Sequence, residues 1–343
     1  MKKHKICKIL LVILAIFLCV AFYELLGICV AYKKQPEVSN TTKKETKNGS
    51  WNECSENTER AVIIEKNPEA LLQRVRLIKN AKKEIILSTF AFQSDESGKL
   101  ILGALHDAAD RGVHIRLLVD GMESWIDMEG NPYFYGLSSH ENVEIKLYNK
   151  ANPLKPWKIM GRMHDKYLIA DGKRYILGGR NTYNYFLGDF PGHKNYDRDV
   201  LVVCDEPEKE NSVNQLLEYF ETIWEQEDSD YFHDNKKLAN RKSVKNAVLE
   251  LQNGYQKYFE ENKERICDTD YTDETFETEK IALVSNPIHT GSKEPVVWYQ
   301  LGELMKNAKN RVKIHTPYII CNDMMYNTWE EIAENVSDFS IMT

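Results

Sequence analysis

Between residues 61 and 203 the chain alternates short β-rich runs with stretches of helical periodicity, and that alternation limits it to an α/β architecture. Residues 61–64 (AVII) read as a strand. Pro68 then opens a helix carrying Leu71, Leu72, Val75 and Ile78 at helical spacing. Residues 84–92 (EIILSTFAF) have the few charges expected of a central strand covered on both faces. A helix over 98–111 follows, ended by Gly112, and then a strand over 113–120 (VHIRLLVD). Further strands are predicted at 143–148, 166–170, 174–177 and 200–203. Asp171-Gly172 marks a hairpin between the middle two. A helix over 212–226 and a longer acidic helical stretch to about residue 265 complete this unit.

The pattern then starts again. Leu77-Ile78-Lys79-Asn80-Ala81-Lys82 recurs as Leu304-Met305-Lys306-Asn307-Ala308-Lys309, an offset of 227 residues, and the β-run behind it is matched by residues 311–319 (RVKIHTPYI). Similar segments ahead of equivalent strands imply a duplicated supersecondary unit. Residues 268–279 hold six acids and no base and make the best boundary between the copies. The expected division is therefore a first domain over 60–267 and the start of a second over 280–343, an incomplete repeat.

Lys2, Lys3, Lys5 and Lys8 precede an apolar run over 9–32 whose one charge is Glu24. As a helix it would reach about 36 Å, enough to cross a ~30 Å hydrocarbon core. Residues 1–32 are thus expected to be an uncleaved anchor, with a cleavable secretory signal as the alternative. The excess of lysine before the span predicts a cytoplasmic N-terminus and residues 33 onward outside the cytoplasm, on the cell membrane. Residues 33–59, rich in Ser, Thr, Asn, Lys and Glu, read as a flexible stalk.

Forty-five basic residues stand against 52 acidic ones in the 343-residue chain, a net charge of −7 that argues against a stable nucleic-acid partner. Seven cysteines without C-x-x-C spacing predict neither a disulfide scaffold nor a zinc site. Cys54, Cys204, Cys267 and Cys321 are expected to be free buried thiols. No metal and no cofactor is expected.

Only His164 among the histidines has lysine two residues later. From it the sequence runs His164-Asp165-Lys166, four residues to Asp171, six to Gly178-Gly179, then Arg180-Asn181. Extended backbone sends His164 and Lys166 to the same side. The turn returns Gly178, Gly179 and Asn181 beside them. An imidazole can attack phosphorus, an ammonium neutralise a non-bridging oxygen, an amide donate to another, and glycines admit the backbone, so the set suits a phosphodiester. Residues 150–174 add a local basic surface from Lys150, Lys155, Lys158, Arg162, Lys166, Lys173 and Arg174 against two acids.

This segment resembles the phospholipase D superfamily signature H-x-K-x4-D-x6-G-G/S-x-N at all six fixed positions. Residues 104–121 (ALHDAADRGVHIRLLVDG) are similar to the segment upstream of the site in cardiolipin synthases. The resemblance covers residues 60–343 and implies a mixed sheet flanked by helices. It implies His164 as nucleophile or acid/base and Lys166 as phosphate ligand. Asn181 would assist catalysis, Asp171 would support the site, and Gly178 and Gly179 would approach the substrate. Arg198-Asp199 resembles a pair whose carboxylate orients the histidine, with Asp197 two residues away.

The superfamily uses two such motifs, one histidine forming a phosphohistidine and the other handling the leaving-group proton. Here the offset puts the partner of His164 near position 391, so the sequence reads as a fragment that would not turn over alone. A natural inactive truncation and a site completed by a second subunit are the alternatives. The implied function is phosphatidyl transfer on phospholipids. An extracytoplasmic nuclease and a catalytically silent lipid- or phosphate-binding protein remain as alternatives.

Overall fold

The computed structural model describes residues 2–49, 59–207, 210–233 and 235–343. The chain begins with helix α1 (Lys2–Ala31) and a second helix α2 (Asn40–Asn48). The first α/β unit runs β1 (Arg60–Ile64), α3 (Asn67–Asn80), β2 (Glu84–Thr89), α4 (Glu96–Asp110) and β3 (His114–Asp120). It continues through α5 (Glu123–Met128), α6 (Pro132–Ser138), β4 (Val143–Tyr148), β5 (Tyr167–Ala170), β6 (Arg174–Gly178) and β7 (Asp199–Val203). Then come α7 (Ser212–Trp224), β8 (Ser229–Tyr231), α8 (Lys242–Glu261), α9 (Lys263–Cys267) and β9 (Phe276–Glu277). The chain closes with α10 (Val296–Lys306), β10 (Arg311–His315), α11 (Asp323–Asn335) and β11 (Asp338–Met342).

Nine strands form one mixed sheet in the order β8-β4-β3-β2-β5-β6-β7-β1-β9. β2, β3 and β4 are parallel neighbours, whereas β5 joins β2 antiparallel and starts a run of antiparallel pairs. Strand alternation divides the core. Ile85, Leu87, Ile115, Leu117 and Val119 pack with α3, α4 and α8, while Ile86, Leu118 and Ile169 meet Leu216, Phe220 and Trp224 of α7. Both faces of the central strands are buried, as their apolar composition requires. Asp171 and Gly172 take positive φ values of 55° and 63°, the left-handed pair that joins two twisted strands tightly.

Two segments flanking the first unit carry contacts that composition does not show. The segment 33–59, expected as a flexible stalk, contains α2: Ser39 caps it by accepting from Thr42 N, and Glu294 accepts from Ser39 N and Thr42 Oγ1. Its polar side chains gain tertiary partners, which composition could not show. The acidic loop over 268–279 is bound to the first unit. Buried Arg76 donates to the carbonyls of Asp268 and Asp270, pairs with Glu274 and stacks on Tyr271, and β9 extends the sheet beyond β1. Of the outer cysteines, Cys204 is buried but Cys267 is exposed and Cys321 intermediate, and Cys54 lies outside the described residues.

The order α10-β10-α11-β11 repeats α3-β2-α4-β3. β10 and β11 pair in parallel as β2 and β3 do, and β10 starts 227 residues after β2. Val312, Ile332 and Val336 form this unit's own small core.

Candidate active site

The motif lies at the entrance to the β5–β6 hairpin. Gly178 N donates to Lys166 O, holding the two ends of the motif side by side, and Lys166 Nζ donates to His164 O at 2.6 Å. Because β5 neighbours β2, the residues ahead of β5 reach those leaving β2. The His164 ring meets Phe90 edge-on with centroids 4.6 Å apart, and Lys166 Nζ lies 5.2 Å from the same ring. Arg162 stands over Phe90 as well, its guanidinium paired with the buried Asp120 at the end of β3. Asp120 also accepts from the backbone N–H groups of Met122, Glu123 and Met163, so its position is fixed from both sides of the segment.

Arg162, His164 and Lys166 open on a cavity of about 380 Å³ shared with α7 and the 283–297 segment. His164 stands exposed at its edge. Neighbouring groups desolvate the imidazole, and Lys166 and Arg162 repel its proton against the pull of Asp120, so its pKa falls below the ordinary 6.5. Burial likewise brings Lys166 down to about 8, with Asp165, Asp197 and Asp120 opposing. Asp165 points into the same cavity, accepts from Tyr219 Oη at 2.7 Å, and is raised above the ordinary carboxylate value by burial. Lys293 faces it from the far wall and is lowered by burial. The arrangement sets an imidazole whose charged form is disfavoured beside cationic side chains, a combination that suits a phosphodiester. Among the described residues no group of three or more His, Cys, Asp or Glu side chains is placed to hold a metal ion.

The remaining motif positions take separate places. Gly178 and Gly179 pass close to β7. A Cβ on Gly178 would lie 2.0 Å from Asp199 Oδ1, and one on Gly179 would lie 2.0 Å from Asp197 Oδ2. Of the two, only Gly178 lines the cavity. Asn181 Oδ1 accepts from Ala91 N at 3.2 Å and ties the loop after β2, including Phe90, to the end of β6. Asp171 sits at the opposite end of the hairpin, accepting from the N–H groups of Lys82, Lys83 and Glu84. Asp199 does not line the cavity. Its Oδ2 accepts from Arg74 at 2.8 Å with Arg180 at 3.3 Å, and its buried Oδ1 has no hydrogen-bond partner among the described residues. Register explains this: Asp199 pairs with Gly178 on one side and Ile64 on the other, which turns its side chain toward α3. Asp197, not Asp199, is the β7-side acid whose charge acts on Lys166.

Phe90, Asp120, Tyr219 and Lys293 escaped the sequence reading. Phe90 and Asp120 carried a usable signal, since each stands at the C-terminal end of a parallel central strand, where α/β sheets place their ligands. Tyr219 and Lys293 reach the site only through tertiary packing.

A family model described as "Cardiolipin synthase, PLD-like domain" matches residues 74–224. An uncharacterized protein of Helicobacter pylori is 27% identical over 311 residues, covering 82% of this chain and 59% of that protein. Cardiolipin synthase C of Escherichia coli is 29% identical over 171 residues, 46% of this chain and 34% of its own. The chain thus spans less than two thirds of the length of these relatives. Phosphatidylserine synthase of Haemophilus influenzae shares the fold over 88% of this chain and 65% of its own, with a TM-score of 0.56 at 16% identity. Residues 74–224 thus match a phospholipase D-like domain, set in a fold that the phosphatidylserine synthase shares.

Proposed function

We propose that the chain acts on phospholipid phosphodiesters through a covalent intermediate at His164, with phosphatidyl transfer of the cardiolipin-synthase kind as the reaction. The observation that carries this is the joint placement of His164, Lys166 and Arg162 around Phe90 at one cavity. An unprotonated imidazole nitrogen attacks phosphorus. The P–N bond forms as the P–O bond to the leaving alkoxide breaks, and a general acid protonates that alkoxide. An alcohol then attacks the phosphohistidine, loses its proton and frees the imidazole. Lys166 and Arg162 offset the charge that builds on the non-bridging oxygens. Among the described residues no second histidine has lysine two positions on.

A lipid substrate is favoured by α1, which over Lys5–Ala31 is long and apolar enough to cross a membrane. We read it as a single-pass anchor with the body on the extracytoplasmic side. The test is to incubate the full chain, in detergent-free vesicles, with phosphatidylglycerol or with DNA and to map acid-labile adducts by mass spectrometry. A phosphatidyl adduct on His164, absent in His164→Asn, is expected. An adduct formed from DNA alone would assign a nuclease, and tight lipid binding without any adduct would assign a binding protein.

A further inference from the structure

We infer that the loop over residues 152–161, which leads directly into the catalytic histidine, is a second membrane contact that seats in the lipid interface beside α1. This inference rests on the reading of α1 as a membrane span. Leu154 is 75% exposed, Met160 59% and Trp157 43%, an unusual concentration of bare apolar surface on one short loop. The same loop carries the exposed Lys155, and Trp with Lys is the pairing that favours a bilayer boundary.

The loop is continuous with α1. Tyr23 Oη donates to Leu154 O at 2.9 Å, and Gly27 packs so closely on Pro156 that a Cβ there would come within 2.5 Å of its ring. Ala21, Glu24, Gly27, Ile28 and Ala31 are the less exposed positions of this half of α1. Their three-to-four-residue spacing makes them one face turned to the body, while the opposite face is open. Below them Tyr32 Oη donates to Thr290 O at 2.6 Å, which ties the helix end to the second cavity wall.

Depth follows from helix geometry. Tyr23 and Gly27 precede the end of α1 by roughly 12 and 6 Å. The span of 27 residues is about 40 Å long against a ~30 Å hydrocarbon core. Leu154 and Trp157 therefore sit near the boundary of acyl chains and head groups. Arg162 and His164 follow Met160 by two and four residues, which brings the cavity mouth to the level of the phosphodiesters. A lipid would then need to rise only a short way to react, without leaving the bilayer.

The test uses the full chain reconstituted in phosphatidylethanolamine–phosphatidylglycerol vesicles doped with a phospholipid bearing an acyl-chain diazirine. After photolysis, crosslinked peptides are mapped by mass spectrometry. Crosslinks on both α1 and residues 152–161 are expected. Leu154→Asp with Met160→Asp should lower the loop signal by about fivefold or more and leave the α1 signal unchanged. Crosslinks on α1 with none on the loop would overturn the inference and leave the membrane span standing. Absence of crosslinks from α1 as well would remove both.

Discussion

The guanidinium of Arg74 donates at 2.8 Å to the Asp199 carboxylate, and both side chains are almost fully withdrawn from solvent. This pair locks α3 onto β7 beneath the motif. Arg74→Met should cost about 3 kcal/mol, the low end for breaking a buried pair, because Arg180 remains 3.3 Å from Asp199. Urea unfolding measures the loss. Adduct formation per folded molecule should stay within a few-fold of wild type. A large catalytic defect in a folded Arg74→Met protein would return Asp199 to an orienting role.

Adduct formation should be bell-shaped in pH. The lowered pKa of His164 puts the rising limb below 6.5, because the attacking form is the neutral ring. Lys166, at about 8, sets the falling limb by losing the charge that holds the phosphate. The assay is kcat/KM against pH, which reports the free protein. A rate still climbing at pH 9 would show that Lys166 is not needed as a cation.

Asp171→Ala separates folding from chemistry. Three backbone N–H donors lose a carboxylate partner and the left-handed turn position loses a favoured residue, so roughly 2 kcal/mol of stability should go. The labelling rate at His164 should be unchanged below the lowered melting temperature. A strong rate effect without destabilisation would place Asp171 in the chemistry.

The motif glycines should differ in how they can be rescued. The three atoms nearest a Gly179 Cβ all belong to the Asp197 carboxylate, so in Gly179→Ala the further change Asp197→Ala should restore most of a roughly 1–3 kcal/mol overpacking cost. Gly178→Ala also meets Arg198 O at 2.6 Å and Asp199 Cα at 2.7 Å, which are backbone and Cα atoms that no side-chain change removes. Its defect should persist in every double variant. Thermal melts of the two pairs decide between these outcomes.

The elements most open to sequence reading were those whose local chemistry and burial agree. Asp171-Gly172 announced a turn because both positions must adopt positive φ, and residues 84–89 announced a central strand because both faces of β2 are covered. The His164–Lys166 pair was visible because two residues of extended chain fix its geometry. Phe90 beneath it was not, since their meeting depends on β5 lying beside β2, a choice of sheet order. Lys293 arrives from outside the nine-stranded sheet on a loop with no periodic signal. β9 is two residues long, too short for alternation to show, and α2 depends on Glu294 at its capped end. The pairing of Asp199 with Arg74 and Arg180 was not legible either, because the face a strand residue takes depends on a register that spacing alone leaves open.

The last prediction concerns the leaving group. Attack by His164 needs no help from an acid when the departing oxygen is already a weak base, whereas an alkoxide must be protonated as it leaves. In the proposed reaction His164 is the nucleophile, and Lys166, with a pKa of about 8, holds the phosphate oxygens. Asp165 carries a raised pKa but is engaged by Tyr219. A p-nitrophenyl phosphodiester should therefore label His164 by at least 10²-fold faster than a glycerol phosphodiester, the range usual for general acid assistance. Asp165→Asn should leave that ratio unaltered. Pre-steady-state release of p-nitrophenol, quantified against adduct mass, measures the first rate, and adduct mass alone the second. Equal labelling by the two substrates would mean that an acid already acts within this chain, and a ratio that rises in Asp165→Asn would identify Asp165 as that acid.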